Sequence, residues 1–304
     1  MLAIAMLAAA CGRDATPPAA TQPAHGSARV EVPVGPIHSE QVTAVDARVA
    51  GCARDDTTLI YVLDNDGRLA SLDPRKLPSE AAFHDVGIIA CGADMKPEAM
   101  AIDRNGVAWI VTGKGAMYNA SIRDASCRKV GHIESVHGTE PIGLAFVADG
   151  PGVDAEKLYA QIGEQRLEVF DPAQWPWRAR SETIDTGDPE LAGTSDAKLY
   201  GFFAIAERPY VQELDVATGR GVGKRWPVPK PAASAAIAGW AIAQWGGRFY
   251  LFVTEVQRTG ELDSRLAMVD RATGEYRTII AHLPHLIVGA GASTCAPGSS
   301  APIP

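Results

Sequence analysis

Short runs in which apolar and polar residues alternate begin near residue 57 and continue almost to the end of the chain. Alternation with a period of two is typical of half-buried β-strands, and Val107–Val111 and Arg248–Val253 are two such runs. Turn residues separate the runs, because the Asn-Gly pair that ends at Gly106 supplies the positive φ that a tight hairpin needs. The pattern therefore predicts an all-β protein built from hairpins.

Four of these strand-like segments end in an aspartate turn. They are Leu69–Asp73, Leu167–Asp171, Val211–Asp215 and Leu266–Asp270. A fifth, degenerate copy places Asn119 at the turn position. The four turn aspartates and Asn119 recur at intervals of about 44 to 55 residues. Self-similarity near that period, built from short strands, is the signature of a β-propeller. The sequence predicts five four-stranded blades, with six as the alternative count.

If the four strands of a blade are called A to D from the central channel outward, the first repeat has strands B, C and D. It has no convincing strand A before them. His285–Thr294 has the length and the small residues of such a strand, so we expect it to complete the first blade. Cys295 would then lie at the same hairpin end as Cys52, which predicts a disulfide between them. Cys91 and Cys127 would pair by elimination, as an even number of cysteines in an exported chain favours. The alternative is four buried free thiols.

The chain has 304 residues, 46% of them hydrophobic, and a formal net charge of −8. This length can bury the core of one large domain. Nucleic-acid partners are not expected, because proteins that bind a phosphate backbone concentrate Lys and Arg.

The first eleven residues, Met1 to Cys11, are apolar and small, and the run is too short to span a bilayer, which needs roughly 20 residues. The segment resembles the bacterial lipobox, and this resemblance implies that Cys11 is lipidated. Gly12 after the cysteine resembles lipoproteins of the Gram-negative outer membrane. An ordinary cleaved signal or a buried N-terminal strand are the alternatives. The composition of residues 12–40, which are rich in Pro, Ala and Thr, predicts a disordered tether. Residues 41–297 are predicted to form the propeller, and residues 298–304 a disordered tail.

Motifs of known chemistry are missing from the sequence: it has no nucleophile elbow, Walker loop, zinc spacing or dinucleotide fingerprint. The segment Asp64–Gly67 lacks the downstream Glu of a calcium loop and predicts a hairpin turn instead. His282 and His285 are interpreted as histidines of a surface loop.

Three glutamates stand near the starts of successive inner strands: Glu98, Glu140 and Glu190. Inner strands line the channel of a propeller, so all three are predicted to face it, with Glu98 and Glu190 in the same register. Asp196 could join them. Crowded carboxylates repel unless a cation compensates, which makes a Ca²⁺ site the metal hypothesis. The alternative is a set of solvated carboxylates, and no other cofactor is expected.

Trp175 and Trp177 are predicted to lie on an exposed loop after the third aspartate turn. Paired indoles can form a platform for a glycan or a peptide. The alternative is structural packing between blades.

The segment Met100–Val111 resembles blades of the streptogramin-lyase, gluconolactonase and NHL-type propellers. Glu190–Phe203 and Trp240–Phe252 resemble uncharacterised secreted lipoproteins that are common in myxobacteria. The resemblance implies a propeller outside the cytoplasm, but no activity. We therefore expect a lipid-anchored, extracytoplasmic module that binds a ligand or a protein, peptide or glycan partner. The alternative is a metal-dependent hydrolase or lyase, similar to lactonases, with its site in the channel.

Overall fold

The computed structural model describes residues 52, 54–92, 95–133, 142–163, 166–171, 180–183, 188–230 and 235–298. Within these residues twenty strands form five four-stranded antiparallel sheets. Each sheet is one blade, so the predicted five-bladed β-propeller is confirmed.

In chain order the strands are β1 Ile60–Asp64, β2 Arg68–Leu72, β3 Phe83–Ile88, β4 Pro97–Ile102, β5 Val107–Thr112, β6 Ala116–Ser121, β7 Cys127–His132, β8 Ile142–Ala148, β9 Glu156–Ile162, β10 Arg166–Phe170, β11 Arg180–Thr183, β12 Glu190–Gly193, β13 Leu199–Phe203, β14 Tyr210–Leu214, β15 Gly221–Pro227, β16 Ala235–Trp245, β17 Arg248–Gln257, β18 Leu262–Asp270, β19 Tyr276–Leu283 and β20 Ile287–Ala292. Short 3₁₀ helices span Asp55–Thr58, Pro74–Lys76 and Glu80–Ala82.

Blade 1 combines β20 with β1, β2 and β3, and blades 2 to 5 each take the next four strands of the chain. Ile60 lies opposite Ala292, and Leu63 lies opposite Gly289. The C-terminal strand therefore completes the first blade, as predicted. The inner strands β20, β4, β8, β12 and β16 contact one another in that order, and β16 contacts β20, which closes the ring.

Two disulfides join the cysteine pairs that the ring closure predicted. Cys52 is bonded to Cys295 across a sequence separation of 243 residues, and Cys91 is bonded to Cys127. In the chain-entropy model a cross-link over so long a loop stabilises the fold by about 5.5 kcal/mol. The first disulfide therefore joins the segment before β1 to the segment after β20, and both strands belong to blade 1.

The core is divided among the five boundaries between neighbouring blades, and each boundary has its own cluster of buried apolar side chains. Between blades 2 and 3, Trp109 meets Phe146 edge to face with ring centroids 5.8 Å apart. Between blades 4 and 5, Tyr200 meets Phe249 at 4.9 Å. Alternating side chains on both faces of a blade are thus buried against its neighbours, because a blade inside a ring has no free face.

The aspartate turns that revealed the repeat have a common hydrogen-bond pattern. In blade 5, Asp270 Oδ1 accepts the backbone N–H groups of Ala272 and Thr273, both at 2.9 Å. Asp215 makes the same turn in blade 4. In blade 2 the prediction was wrong by two residues: Asn119 lies inside β6, and Ser121 occupies the first turn position instead.

Candidate functional site

The central channel is almost filled by the inner strands. One cavity between these strands has a volume of about 10 Å³, which is room for about one water molecule. Small residues such as Ala101, Gly193 and Ala292 line it together with larger ones such as Phe146 and Ile242. This cavity is too small for a substrate.

Glu190 begins β12 at one end of the channel, and its carboxyl group is buried. Burial raises the pKa of Glu190 well above its ordinary value, and the charge of Glu98 raises this pKa further. The backbone N–H of Leu191 donates to the carboxylate and opposes both effects. The side chain of Glu98 is accessible to solvent, but the surrounding protein still desolvates it enough to raise its pKa. The two carboxyl groups are thus near enough to interact.

The predicted register of the two glutamates was wrong by one residue. Ile102 lies opposite Ala108, and Gly193 lies opposite Leu199, so these pairs occupy equivalent places in their hairpins. Counting back three residues from each places Ala99, rather than Glu98, at the level of Glu190. The pairing of β4 with β5 also shifts between Pro97 and Ala99, so Glu98 lies at an irregularity of the ladder.

The remaining members of the metal hypothesis do not join this pair in the described part of the chain. Asp196 follows the end of β12, whereas Glu190 begins it, so the two lie toward opposite ends of the channel. Glu140 lies outside the described residues. Among those residues no group of three or more His, Cys, Asp or Glu side chains is arranged to hold a metal ion.

Three other residues of predicted sites also lie outside the described residues: the lipidated Cys11, and Trp175 and Trp177 of the platform. They stay predictions. Within the described residues, no helix has the length and apolar character needed to cross a bilayer.

A larger cavity, here called the interblade pocket, lies between blades 1 and 5 and has a volume of about 440 Å³. Strands β1, β2 and β3 form one wall, and β19 with the turn after it forms the other. Its apolar lining consists of Val62, Ala70, Phe83, Ile280, Leu283, Pro284 and Ile287. Its polar lining consists of Asp64, Arg68, Glu80, Asp85, His282 and His285.

Asp64 and His285 lie within ion-pair distance of each other in the wall of the interblade pocket. Asp64 Oδ1 accepts the backbone N–H groups of Asp66 at 3.0 Å and Arg68 at 2.8 Å, which makes the predicted hairpin turn. Asp64 Oδ2 lies 3.2 Å from His285 Nδ1, with the aspartate side chain 3% exposed and the imidazole 47% exposed. The half-exposed imidazole of His285 therefore lies beside a buried carboxylate at the edge of the pocket.

The other charged groups of the pocket are arranged near its rim. Arg68 Nη1 donates to Asp85 Oδ2 at 2.7 Å. His282 Nδ1 lies 2.8 Å from Asp263 Oδ1. Glu80 is exposed, and no ion pair with another described residue is found for it. The lining thus holds three carboxylates and one guanidinium.

The half-buried carboxyl group of Glu156 lies at the other end of the ring. Glu156 accepts a hydrogen bond from the Arg104 backbone N–H at 2.8 Å through Oε1 and one from Thr294 Oγ1 at 2.7 Å through Oε2. Burial, assisted by the charge of Asp103, raises the pKa of Glu156 to about 7. The hydrogen bonds and the positive charge of Arg104 lower this pKa and offset part of that rise. This cluster joins blades 2 and 3 to the residues that follow β20.

No family model and no curated protein matches the chain. Solved structures with a similar fold include a xylan β-1,4-xylosidase from Bacillus halodurans, with TM-score 0.42, 16% identity and coverage of 60% of this chain and 41% of that chain. An endo-arabinase from Bacteroides thetaiotaomicron has TM-score 0.43, 13% identity and coverage of 62% and 80%. A virginiamycin B lyase from Staphylococcus aureus has TM-score 0.38, 8% identity and coverage of 76% and 87%. This chain thus spans less than half of the xylosidase, and the likenesses concern the fold alone.

Proposed function

We propose that this propeller is a binding module whose small-molecule ligand occupies the interblade pocket. The observation that carries the proposal is the contrast in size, because the pocket measures about 440 Å³ and the cavity between the inner strands about 10 Å³. Ligand sites in proteins commonly measure about 300–1,000 Å³. The interblade pocket falls in that range, whereas the cavity between the inner strands holds no more than a water molecule.

The chemistry of the lining supports the same proposal. Ligand pockets combine a mostly apolar surface with a few convergent polar groups that fix orientation. In the interblade pocket Phe83 and Leu283 represent the first kind of surface, and the pair of Asp64 and His285 represents the second. A binding module needs no catalytic residues, and the sequence has no recognisable catalytic motif.

The proposal includes the anchor that the N-terminal sequence predicts. A lipid on Cys11 and a tether over residues 12–40 would hold the propeller outside the cytoplasm, at the outer membrane of a Gram-negative cell. The support for this part is the resemblance to the lipobox.

Filling the pocket tests the proposal. Ala70 lines the pocket and is partly exposed, so Ala70→Phe would occupy ligand space. Ala272→Phe is the matched control, because Ala272 is exposed in the turn before β19, at the opposite end of that strand from Leu283. We expect ligand-detected NMR on a library of small amphiphiles to find compounds that bind wild type and Ala272→Phe, with at least tenfold weaker binding to Ala70→Phe. Binding that Ala70→Phe leaves unchanged would contradict the proposal, provided that thermal melts show all three proteins folded.

A metal-dependent hydrolase or lyase with its site at the channel is the second candidate, favoured by one observation. The charge of Glu98 adds to the cost of ionising Glu190, and a cation between them would relieve it. If this candidate is right, millimolar Ca²⁺ raises the melting temperature of the wild type and leaves that of Glu190→Gln unchanged. Equal responses of the two proteins would remove the candidate.

A further inference from the structure

We propose that the interblade pocket selects a protonated organic amine that carries an apolar body. This inference deepens the proposed function and depends on it. It starts from the hydrogen-bonding state of His285, continues with the charge of the lining, and ends with the apolar wall that would hold the rest of the ligand.

The buried aspartate favours one tautomer of neutral His285. An ionised carboxylate only accepts hydrogen bonds, so a neutral ring with its proton on Nδ1 suits Asp64 Oδ2, which lies 3.2 Å from that nitrogen. In the neutral ring Nε2 then has a free lone pair, and no described residue donates to it. The half-exposed ring therefore offers a hydrogen-bond acceptor to the pocket, with the negative charge of Asp64 behind it.

A cationic donor suits this acceptor better than a neutral or anionic group. Hydrogen bonds with an ionised partner are roughly twice as strong as neutral ones. Asp85 already pairs with Arg68, which neutralises the one guanidinium of the lining. The carboxylates of Asp64 and Glu80 are left without a cation of their own in the lining, so the pocket has a net negative charge.

The apolar wall determines the remainder of the ligand. Phe83, Ile280 and Leu283 line the cavity and are each only partly buried by the protein. Covering such surface with an apolar ligand stabilises the complex by about 25 cal/mol for each Å² removed from water. A small inorganic cation would leave this wall wet, whereas an alkyl or aryl amine would cover it.

Four probes with the same body separate the contributions: 4-phenylbutylammonium, its N,N,N-trimethyl analogue, 4-phenylbutan-1-ol and 4-phenylbutanoate. Titration calorimetry at neutral pH should find the primary ammonium bound at least tenfold more tightly than the alcohol, which corresponds to about 1.4 kcal/mol. The trimethyl analogue keeps the charge but has no N–H, so its affinity should fall between the two. Equal affinities for all four probes would overturn the amine class while leaving the proposed pocket standing.

Asp64→Asn is the sharper variant. The two backbone N–H groups of the turn should keep their hydrogen bonds, now to the amide oxygen of the Asn side chain. The Asn NH₂ would then donate to His285 Nδ1, and the ring proton would move to Nε2. We expect binding of the primary ammonium to weaken at least tenfold and the ¹⁵N spectrum of His285 to show the other tautomer. Glu80→Gln is the control, because it removes a rim charge and should weaken both cationic probes equally.

The outcomes are distinguishable. An unchanged preference for the ammonium in Asp64→Asn, with the tautomer switched, would overturn the role of His285. If none of the four probes binds at millimolar concentration, the amine class fails, and the library screen with Ala70→Phe then decides the proposed function by itself. Wild-type affinities carry the test even if Asp64→Asn does not fold.

Discussion

At Glu156 the fold holds a carboxyl group between two hydrogen-bond donors while removing most of its water. Desolvation is the largest effect and raises the pKa of this group to about 7 from an ordinary value of 4.5. Between these two pH values the native state binds more protons than the unfolded state. The free energy of unfolding must therefore fall as the pH rises through this interval.

Replacing Glu156 by Gln should remove this part of the pH dependence. We expect the stability of the wild type to fall between pH 5 and pH 8 by on the order of 2 kcal/mol more than that of Glu156→Gln, since one pKa unit corresponds to about 1.4 kcal/mol. Glu98 and Glu190 titrate in both proteins and cancel in the comparison. Urea unfolding at each pH is the measurement, with exposed Glu261→Gln as the control. Parallel pH profiles for wild type and Glu156→Gln would contradict the assignment.

Single residues also show where sequence reasoning ended. The hairpin turn at Asp64 was predictable, because its own neighbours supply the hydrogen bonds. Its contact with His285 was not predictable from local pattern, because the two residues come from opposite ends of the chain and meet only when β20 enters blade 1. A histidine beside a proline in a polar turn carries no local sign of such a partner.

Among the strands, the inner ones depend on glycine for their close approach. A Cβ atom built on Gly193 of β12 would overlap the carbonyl oxygen of Phe146 in β8. Relieving this overlap would require the main chain to move, because a carbonyl oxygen cannot rotate away as the end of a flexible side chain can. This contact belongs to the packing that narrows the channel, so Gly193 couples the shape of the channel to the stability of the ring.

Gly193→Ala should therefore be strongly destabilising, by roughly 3 kcal/mol or more, because overpacking of this kind forces main-chain shifts. Gly92→Ala is the matched control, since nothing lies within 4 Å of its added Cβ atom and its φ is not in the left-handed region. Thermal and urea melts of both variants measure the difference. If Gly193→Ala were as stable as Gly92→Ala, the close packing of β8 and β12 would be wrong.

Strand positions were predictable to within a few residues, but register was less so. The alternation along the sequence identified β5 and β17, because successive side chains of each strand face the two neighbouring blades in turn. Turn residues lie at both ends of each strand. The blade 2 turn begins at Ser121 rather than at Asn119, since the Asp that marks other blades is replaced there. The irregular position of Glu98 appears only in the pairing of β4 with β5. Counting residues along β4 alone does not include that pairing.

For the whole molecule, the repeat and the cysteines predicted what the structure shows. The spacing of aspartate turns gave the blade count, and the missing first strand predicted closure by the C-terminus. The interblade pocket was not predictable, because its volume depends on how blade 5 packs against blade 1. The alternative hydrolase or lyase was expected to have its site in the channel, where the cavity between the inner strands measures about 10 Å³ because small residues let these strands approach closely.

The proposed anchor makes a prediction for the complete protein expressed in a Gram-negative host. Intact mass of the membrane-extracted protein should correspond to a chain that begins at Cys11 and carries diacyl or triacyl modification. Reduction should add the four hydrogens of two disulfides. Cys11→Ser should leave the membrane fraction and lose the lipid mass while retaining both disulfides. A lipid-free wild-type protein would refute the anchor without touching the propeller.

The most direct test of the central claim is a crystal structure of the protein soaked with the tightest compound from the library screen. The proposal predicts ligand density between β1, β2 and β19, with the polar group of the compound against His285. Density at the channel mouth beside Glu98 and Glu190, with the interblade pocket empty, would contradict it.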